Sequence, residues 1–493
     1  MTGPGRGEMT VRPSMITRWA PRMCSIYLVF VLCLMLFLPL QYASGKSSEP
    51  YWATPSGGPC NRYLSTQDGK HNLGGPEWEV DLGEDLSLRM AVGNDGTIYA
   101  VERSGETTVH AIGPGGKLEW EADYGLDELM SPSISANGTL VLMGSREDRE
   151  TSVLMMLDKA GLPIYIEEVP GRPLFSPVPD DRGGLLVGTY GYKDDWIVIH
   201  YRSPSGEVLW NITFPKYRYD EPDEFVPAMD PEGRVYLVAS FLDDDPMCIS
   251  PNGTLLWTRG MYYVERAPPL ITHEGNLVFE TDGGLLCLSP GGSEVWRMSL
   301  GRSPSSNIAL SSDGLIYLFS GYDENLVAID STSGNIVLEK RNSYDDPDKI
   351  IIADDGTIFG VEWDTITSWS RDGSERWYKS LWDDIDDIAM GNGGTIYVTT
   401  EYGVMAIRGD DNSTILVIAW CALAVLSITS LFGIAYLYKR GTDPPRPVLP
   451  ASVLGPKEIK RVRCTRCSNV FPIPDGLSYI TCPRCGLVSK EIW

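Results

Sequence analysis

Four cysteines near the end of the chain have the spacing of a metal site. They form two Cys-x-x-Cys pairs, Cys464 with Cys467 and Cys482 with Cys485, and fourteen residues separate the pairs. Two such pairs, each on a tight turn, present four thiolates to one tetrahedral Zn²⁺. Because four sulfur ligands leave no open position, we expect one structural zinc ion per chain rather than a catalytic one.

The segment that holds these cysteines, residues 461–493, is too short to bury a core of its own, so metal binding would supply its folding energy. Two redox disulfides are the alternative, which a reducing cytoplasm does not favour. Over residues 461–488 the pattern resembles short zinc ribbons of the rubredoxin-knuckle type. We expect the ribbon to contact a cytoplasmic protein. Its nearby basic residues could contact anionic lipid headgroups, a solvated linker explains them equally well, and nucleic acid is a third option.

Two apolar segments predict how the chain is placed at a membrane. An uncharged run over 26–40 follows an arginine-bearing start, which is typical of a secretory signal, so we assign 1–45 to a signal peptide or an uncleaved signal anchor. A second uncharged run is long enough to span a bilayer, and we assign 414–438 to a transmembrane helix. A Pro-rich basic linker, 439–460, joins it to the ribbon.

The charge distribution favours one orientation. Residues 1–25 carry a net charge of +3 and residues 439–493 a net +6, whereas the whole chain carries −25. The positive-inside rule therefore predicts a cytoplasmic ribbon, an extracellular middle segment and a single pass through the cell membrane after signal cleavage. The acidic middle segment argues against nucleic acid as a partner. Four Asn-x-Ser/Thr acceptors for glycosylation lie in this segment, at Asn137, Asn211, Asn252 and Asn412.

The segment between the apolar runs is a repeat with a period near 42 residues, as its anchors are 39 to 47 residues apart. Each unit contains a turn such as Asp-Gly or Asn-Gly followed by a β-rich run, as in Asp355-Gly356-Thr357-Ile358-Phe359. A second turn then leads to an anchor side chain. The eight anchors are Trp78, Trp120, Tyr165, Trp210, Trp257, Trp296, Leu338 and Trp377.

Eight turns and eight anchors predict eight four-stranded sheets in an all-β fold, closed radially into an eight-bladed β-propeller over 76–408. Trp78 precedes the first turn, and the last turn, near Gly394, has no tryptophan after it before the membrane helix. We therefore expect the strand around Trp78 to complete the last blade, with residues 46–75 as an extracellular leader.

The unit Asp-Gly-Thr-Ile-Tyr, then Ala-Ile, then Gly-x-x-x-Trp resembles the pyrroloquinoline-quinone-type (quinoprotein-like) propeller repeat. The resemblance covers about residues 76–408 and implies eight blades with tryptophan contacts between them. That family includes quinone-dependent alcohol dehydrogenases and non-catalytic assembly proteins, so the fold does not decide the activity. Its dehydrogenases commonly place two adjacent cysteines beside the quinone, and this chain has no adjacent cysteine pair.

Other polar residues have simpler explanations than a ligand site. Cys248 and Cys287 each precede an anchor by nine residues, which predicts small core residues in one repeated position. Cys60 lies outside this repeated position and has no partner cysteine in the sequence pattern. The acidic clusters at 243–245 and 383–387 could hold calcium, but solvated loops explain them as well.

We thus expect a membrane-anchored, surface-exposed propeller that acts as a non-catalytic binding or recognition module for a protein or glycan. An envelope assembly or scaffold protein is the alternative, followed by a quinone-dependent dehydrogenase.

Overall fold

The structure is a computed structural model that describes residues 52–70, 75–103, 107–148, 150–191, 196–215, 226–239, 245–260, 267–320, 325–341, 347–409, 427, 429–430, 432, 461–473 and 479–489. The chain divides into two units, 1–412 and 413–493. The predicted signal segment, the linker, Asn412 and nearly all of the predicted membrane helix lie outside these residues. Within the described ranges, no helix has the length and hydropathy needed to cross a bilayer.

The first unit contains eight antiparallel sheets arranged as blades, which confirms the predicted eight-bladed all-β propeller. Strand β1 (Pro76–Asp81) precedes the first complete blade. The strands of blades one to four are β2 (Leu88–Val92), β3 (Ile98–Glu102), β4 (Thr108–Ile112), β5 (Leu118–Asp123); β6 (Glu128–Leu129), β7 (Ser133–Ile134), β8 (Leu140–Ser145), β9 (Thr151–Leu157), β10 (Pro163–Pro170); β11 (Arg172–Pro173), β12 (Val178–Pro179), β13 (Leu185–Tyr190), β14 (Trp196–Arg202), β15 (Val208–Pro215); and β16 (Ala228–Met229), β17 (Val235–Ala239), β18 (Asp245–Ile249), β19 (Leu255–Thr258).

Blades five to eight follow the same order. Their strands are β20 (Leu270–Ile271), β21 (Leu277–Thr281), β22 (Gly284–Leu288), β23 (Glu294–Ser299); β24 (Ala309–Leu310), β25 (Leu315–Ser320), β26 (Asn325–Asp330), β27 (Ile336–Arg341); β28 (Lys349–Ile352), β29 (Ile358–Glu362), β30 (Thr365–Trp369), β31 (Glu375–Ser380); and β32 (Ile385–Met390), β33 (Ile396–Thr400), β34 (Gly403–Ile407). In each blade the first strand is innermost and the fourth outermost, and in blades two and three the innermost strand is interrupted.

The glycine turns form the hairpin between the first and second strands of a blade. In the first blade Gly96 has φ of +84°, and its N–H donates to the carbonyl of Gly93 at 3.0 Å. Such a left-handed backbone suits glycine, because it lacks the Cβ that would clash there. The apolar strand residues that follow, such as Ile98 and Tyr99, are buried between neighbouring blades.

The ring closes with strands from the two ends of the propeller. Strand β1 pairs antiparallel with β34, with Trp78 opposite Ala406 and Val80 opposite Val404. This confirms the closing strand predicted from the isolated Trp78. Because closure joins residues more than 300 positions apart, the propeller cannot complete its last blade without its N-terminal strand.

The anchors link each blade to the next. The indole of Trp78 lies against Gly116, and its Nε1 donates to the carbonyl of Pro114 at 3.0 Å. Trp120 contacts Gly161 in the same way and donates to Lys159 at 2.7 Å. The glycine allows this close approach, since a Cβ at Gly116 would lie 2.5 Å from the indole Cγ.

The two substituted anchors occupy the same position. Tyr165 packs on Gly206 of the next blade, and Leu338 packs near Gly373. Trp377 is the exception, because the blade after it is the closing one, in which no turn joins β34 to β1. Its Nε1 has no hydrogen-bond partner among the residues that the structure describes, but this also holds for Trp210, which still packs on Gly253 of the next blade.

The second unit contains two small hairpins near its end. They are β35 (Arg461–Arg463) with β36 (Val470–Pro472), and β37 (Ile480–Thr481) with β38 (Val488–Ser489). Each hairpin carries one of the Cys-x-x-Cys pairs in its turn.

Candidate functional site

The first cysteine pair lies on a tight turn between β35 and β36. The N–H of Ser468 donates to the carbonyl of Cys464 at 2.9 Å, and the N–H of Cys464 donates to Asn469 at 2.8 Å. Ser468 adopts φ of +56°, which reverses the chain directly after Cys467. The turn therefore holds both sulfur atoms of the pair on one side of the hairpin.

The second pair repeats this geometry. The N–H of Gly486 donates to the carbonyl of Cys482 at 2.9 Å, and the N–H of Cys482 donates to Leu487 at 2.8 Å. Gly486, with φ of +67°, takes the place of Ser468. Two equivalent turns thus face each other, as the spacing in the sequence predicts.

All four sulfur atoms lie within 4.8 Å of one another. The Sγ atoms of Cys464 and Cys485 are 3.6 Å apart, as are those of Cys467 and Cys482. Metal–sulfur bonds of about 2.3 Å in a tetrahedron place the sulfur atoms about 3.8 Å apart, so the cluster matches a tetrahedral metal site. The separations exceed the sulfur–sulfur bond of a disulfide, which is about 2.05 Å, and all four cysteines are free.

The turns favour the thiolate form at part of the cluster. Backbone N–H groups of Cys467 and Arg466 point at Cys464 and lower the pKa of its thiol, whereas burial and the neighbouring thiols raise the pKa of Cys467. Cys464 and Cys482 are buried, whereas Cys467 and Cys485 are partly exposed. The donor set is four soft sulfur atoms with no open position, which suits a structural ion and not a hydrolytic one.

The propeller axis is filled by a segment that the sequence analysis assigned only to a leader. We call residues 52–70 the axial segment. Its backbone hydrogen-bonds to the innermost strands of six blades, at Val92, Ile134, Met229, Ile271, Leu310 and Ile352. These residues lie at the ends of their strands, next to the turn into the second strand. The axial segment therefore crosses the axis on that face of the ring.

Buried side chains fix the axial segment in place. Trp52 is fully buried, and the Asn61 amide Nδ2 donates to the carbonyls of Pro227 and Pro269 at 3.2 Å each. Gln67 reaches the eighth blade, where its Oε1 accepts a hydrogen bond from the N–H of Gly393 at 3.1 Å. In the sequence, only Trp52 and a Ser-Gly-Gly-Pro turn could have indicated that this segment is buried. Neither feature predicts which blades the segment contacts.

Charged side chains near the axis are paired with each other. Lys349 forms an ion pair with the buried Asp387, whose Oδ2 also accepts the N–H of Met90 at 3.2 Å. Lys349 also lies 6.0 Å from the ring centroid of Tyr63 in the axial segment. Burial raises the pKa of Tyr63 well above its usual range, so this phenol stays neutral. The predicted acidic cluster at 383–387 is thus partly structural, with Asp387 inside the propeller.

The remaining cysteines behave as core residues. Cys248 pairs across the sheet with Trp257, and Cys287 with Trp296, in the position that Ala111 takes opposite Trp120. Both thiols are fully buried, which confirms the repeated small-residue position. Cys60 lies in the axial segment, and burial raises the pKa of its thiol.

The cysteine cluster is the only group of three or more potential metal ligands among the described residues. Asp243 and Asp244 of the other acidic cluster lie outside them. The acceptors Asn137, Asn211 and Asn252 are exposed, and the Asn137 side chain accepts the N–H of Thr139 at 3.1 Å, closing its own turn. Their glycosylation stays a prediction.

Comparison with known proteins identifies the type of propeller. The family model described as outer membrane protein assembly factor BamB, a pyrroloquinoline-quinone-type repeat model, matches residues 168–379. No curated protein sequence matches the chain.

Solved structures share the fold at low identity. The quinohemoprotein alcohol dehydrogenase of Comamonas testosteroni is 12% identical with a TM-score of 0.53, covering 75% of this chain and 83% of that one. The computationally designed Ika8 protein is 11% identical with a TM-score of 0.53, covering 68% of this chain and all of its own. BamB from Moraxella catarrhalis is 15% identical with a TM-score of 0.48, covering 67% and 96%.

An enzyme and a designed protein match equally well, so these likenesses show the fold alone. The resemblance seen in the sequence repeat is confirmed: residues 168–379 match a pyrroloquinoline-quinone-type repeat model, and the fold is an eight-bladed β-propeller.

Proposed function

We propose that this protein is a non-catalytic binding module, in which a membrane helix at 414–438 carries the propeller outside the cell and a structural zinc ribbon inside it. The observation that carries the proposal is the axial segment. It occupies the centre of the ring, where ligands of propellers have their natural cavity. A partner would therefore bind to the loops and outer faces of the blades rather than in a central cavity.

On the face where the axial segment lies, this segment occupies the space in which a quinone or a substrate would bind. Hydrogen bonds to six innermost strands hold this segment, and the buried Asn61 amide bridges two of the loops that lead into those strands. Displacing it would expose Trp52 and leave the carbonyls of Pro227 and Pro269 without donors, each at a cost of about 1–3 kcal/mol. A cofactor would have to repay that cost on binding.

An assembly or scaffold role is the second candidate, and the family-model match over 168–379 favours it. The description of the matched family names an outer membrane protein assembly factor. In-cell crosslinking from the propeller separates the two candidates. A single surface ligand supports recognition, whereas recovery of several members of one envelope complex supports assembly.

The enzyme alternative has a direct test with the full-length protein. Incubation with pyrroloquinoline quinone and Ca²⁺, followed by desalting and absorbance measurement, should leave no quinone on the protein. Retention of about one quinone per chain, with alcohol oxidation, would refute the non-catalytic proposal.

The topology is tested on intact cells. The net positive charge after residue 438 and the acidic propeller support an outside propeller and an inside ribbon. Added protease should remove the propeller and spare the ribbon, and protection of the propeller would refute this orientation.

A further inference from the structure

Two tryptophans project from the propeller into solvent. Trp382 is 88% exposed and Trp363 is 71% exposed, more than any other large apolar side chain among the described residues. Most anchor tryptophans are packed against a neighbouring blade, so these two have a different role. A large aromatic surface left in water is costly, and exposed patches of this kind mark interaction sites.

The two tryptophans lie on neighbouring loops at one edge of blade seven. Trp363 is in the β29–β30 turn and Trp382 is in the loop between β31 and β32. Two hydrogen bonds join these loops, from Leu381 N–H to the Asp364 carbonyl and from Ile385 N–H to the Trp363 carbonyl, both 2.8 Å. We call these two residues the tryptophan pair.

The backbone is held so that the pair points outward. Trp363 has φ of +49° and Trp382 φ of +72°, a left-handed conformation that bulky residues rarely adopt. The Asp364 carboxylate locks the turn by accepting the hydroxyls of Ser380 at 2.6 Å and Thr365 at 2.8 Å. These hydrogen bonds lower the pKa of Asp364, so it is ionised at neutral pH.

Carboxylates surround the pair on the neighbouring loops. The loop after β1 is joined to the β33–β34 turn by hydrogen bonds from Leu82 N–H to Tyr402 and from Leu86 N–H to Glu401, at 2.8 and 2.9 Å. A hydrogen bond to Glu401 raises the pKa of Tyr402, and the charges of Asp383 and Glu84 raise it further. Glu84, Asp383 and Glu401 thus lie on three loops at the same end of the blades as Trp382.

The same loop forms one wall of an acidic cleft of about 620 Å³. Four carboxylate residues line it, namely Glu84, Glu102, Glu121 and Asp123. His110 also lines it, and burial lowers the pKa of this imidazole, so it adds no positive charge at neutral pH. Glu84 lines the cleft, and its loop is hydrogen-bonded to the β33–β34 turn of the blade that follows the tryptophan pair, so the cleft and the pair lie on the same face of the propeller.

This combination selects one kind of occupant. Guanidinium groups stack on indole faces and form paired hydrogen bonds with carboxylates, whereas anionic lipids and nucleic acids would be repelled. A sugar could stack on the indoles but would gain nothing from the net negative charge. We propose that the tryptophan pair and the acidic cleft bind an arginine-containing basic segment of a partner protein, an inference that rests on the proposed binding function.

The test uses the purified full-length protein and a fluorescein-labelled peptide of three arginines separated by glycines. Fluorescence anisotropy should show binding that weakens as salt is raised, and a peptide with neutral citrulline in place of arginine should not bind. Trp363→Ala and Trp382→Ala should each weaken binding about three- to tenfold, the range of a cation–π contact. Glu84→Gln and Asp383→Asn should weaken it as well.

Matched controls remove equivalent groups elsewhere. Leu209→Ala removes an exposed apolar side chain from β15, and Glu207→Gln removes an exposed charge from the adjacent turn. Both should bind the peptide as the unaltered protein does. Oxidative footprinting of the unaltered protein is a second readout that needs no variant, and added peptide should protect Trp363 and Trp382 selectively.

Three results would overturn the inference. They are binding that is unchanged in both tryptophan variants, loss of binding in the control variants to the same extent, and tryptophan-dependent binding of cellohexaose without binding of the arginine peptide. If the peptide does not bind but crosslinking from the propeller still recovers a partner, this inference fails and the proposed binding function stands. If neither occurs, both fail.

Discussion

Placing a methyl group on Gly116 tests the contact that joins the closing strand to the first blade. A Cβ at this position would lie 2.5 Å from Cγ of Trp78 and 2.6 Å from Cδ2, in the rigid part of the indole. Gly116 also has φ of +75°, where an L-residue is strained. Gly116→Ala therefore combines a steric clash with a backbone penalty.

The magnitude follows from these two terms. The left-handed backbone costs alanine about 1–2 kcal/mol, and overpacking costs about 1–3 kcal/mol even though Trp78 and Gly116 are only partly buried, because the clash is with the rigid indole ring. We expect the free energy of unfolding to fall by about 2–5 kcal/mol. Gly115→Ala is the matched control, because its Cβ would meet nothing within 4 Å and its φ is not in the left-handed region.

The assay is thermal and urea unfolding of the full-length protein, followed by tryptophan fluorescence. A double-mutant cycle with Trp78→Ala separates the two terms, since removal of the indole relieves the clash and leaves only the backbone penalty of about 1–2 kcal/mol. The reasoning is refuted if Gly116→Ala costs no more than Gly115→Ala, or if its cost is the same with and without the indole.

Further predictions concern the axis, closure and the metal. Asn61→Ala should destabilise the propeller by about 3–5 kcal/mol in urea unfolding, because two buried carbonyls lose their donor, and equal stability would show that the axial segment does not hold the ring. Lys349→Met should cost about 3–5 kcal/mol by leaving Asp387 buried without its partner, and the double variant with Asp387→Asn should recover part of this loss. Deleting residues 70–80 should lower the melting temperature of the propeller, and an unchanged melting temperature would contradict the role of β1 in closure. Metal analysis of the full-length protein should find about one zinc per chain, which Cys464→Ser should abolish.

The local pattern of the sequence was sufficient to predict the blades. Glycine turns at positive φ, such as Gly96, and anchors such as Trp120 act within one unit or on the next, so their spacing repeats in the sequence. The four cysteines follow the same logic, since each pair is held by a turn of a few residues. Even closure could be inferred, because Trp78 had no unit of its own.

The axial segment and the tryptophan pair were decided by the tertiary structure. Asn61 donates to Pro227 and Pro269, which are 166 and 208 residues away, and these carbonyls converge only after the ring has closed. Trp363 and Trp382 do not follow the anchor spacing, and only the folded chain shows that both are exposed at one edge of blade seven. Contacts within a repeat recur in every unit, so they produce a period in the sequence. Contacts across the ring join residues that come together only after the eight blades have assembled, so they produce no such period.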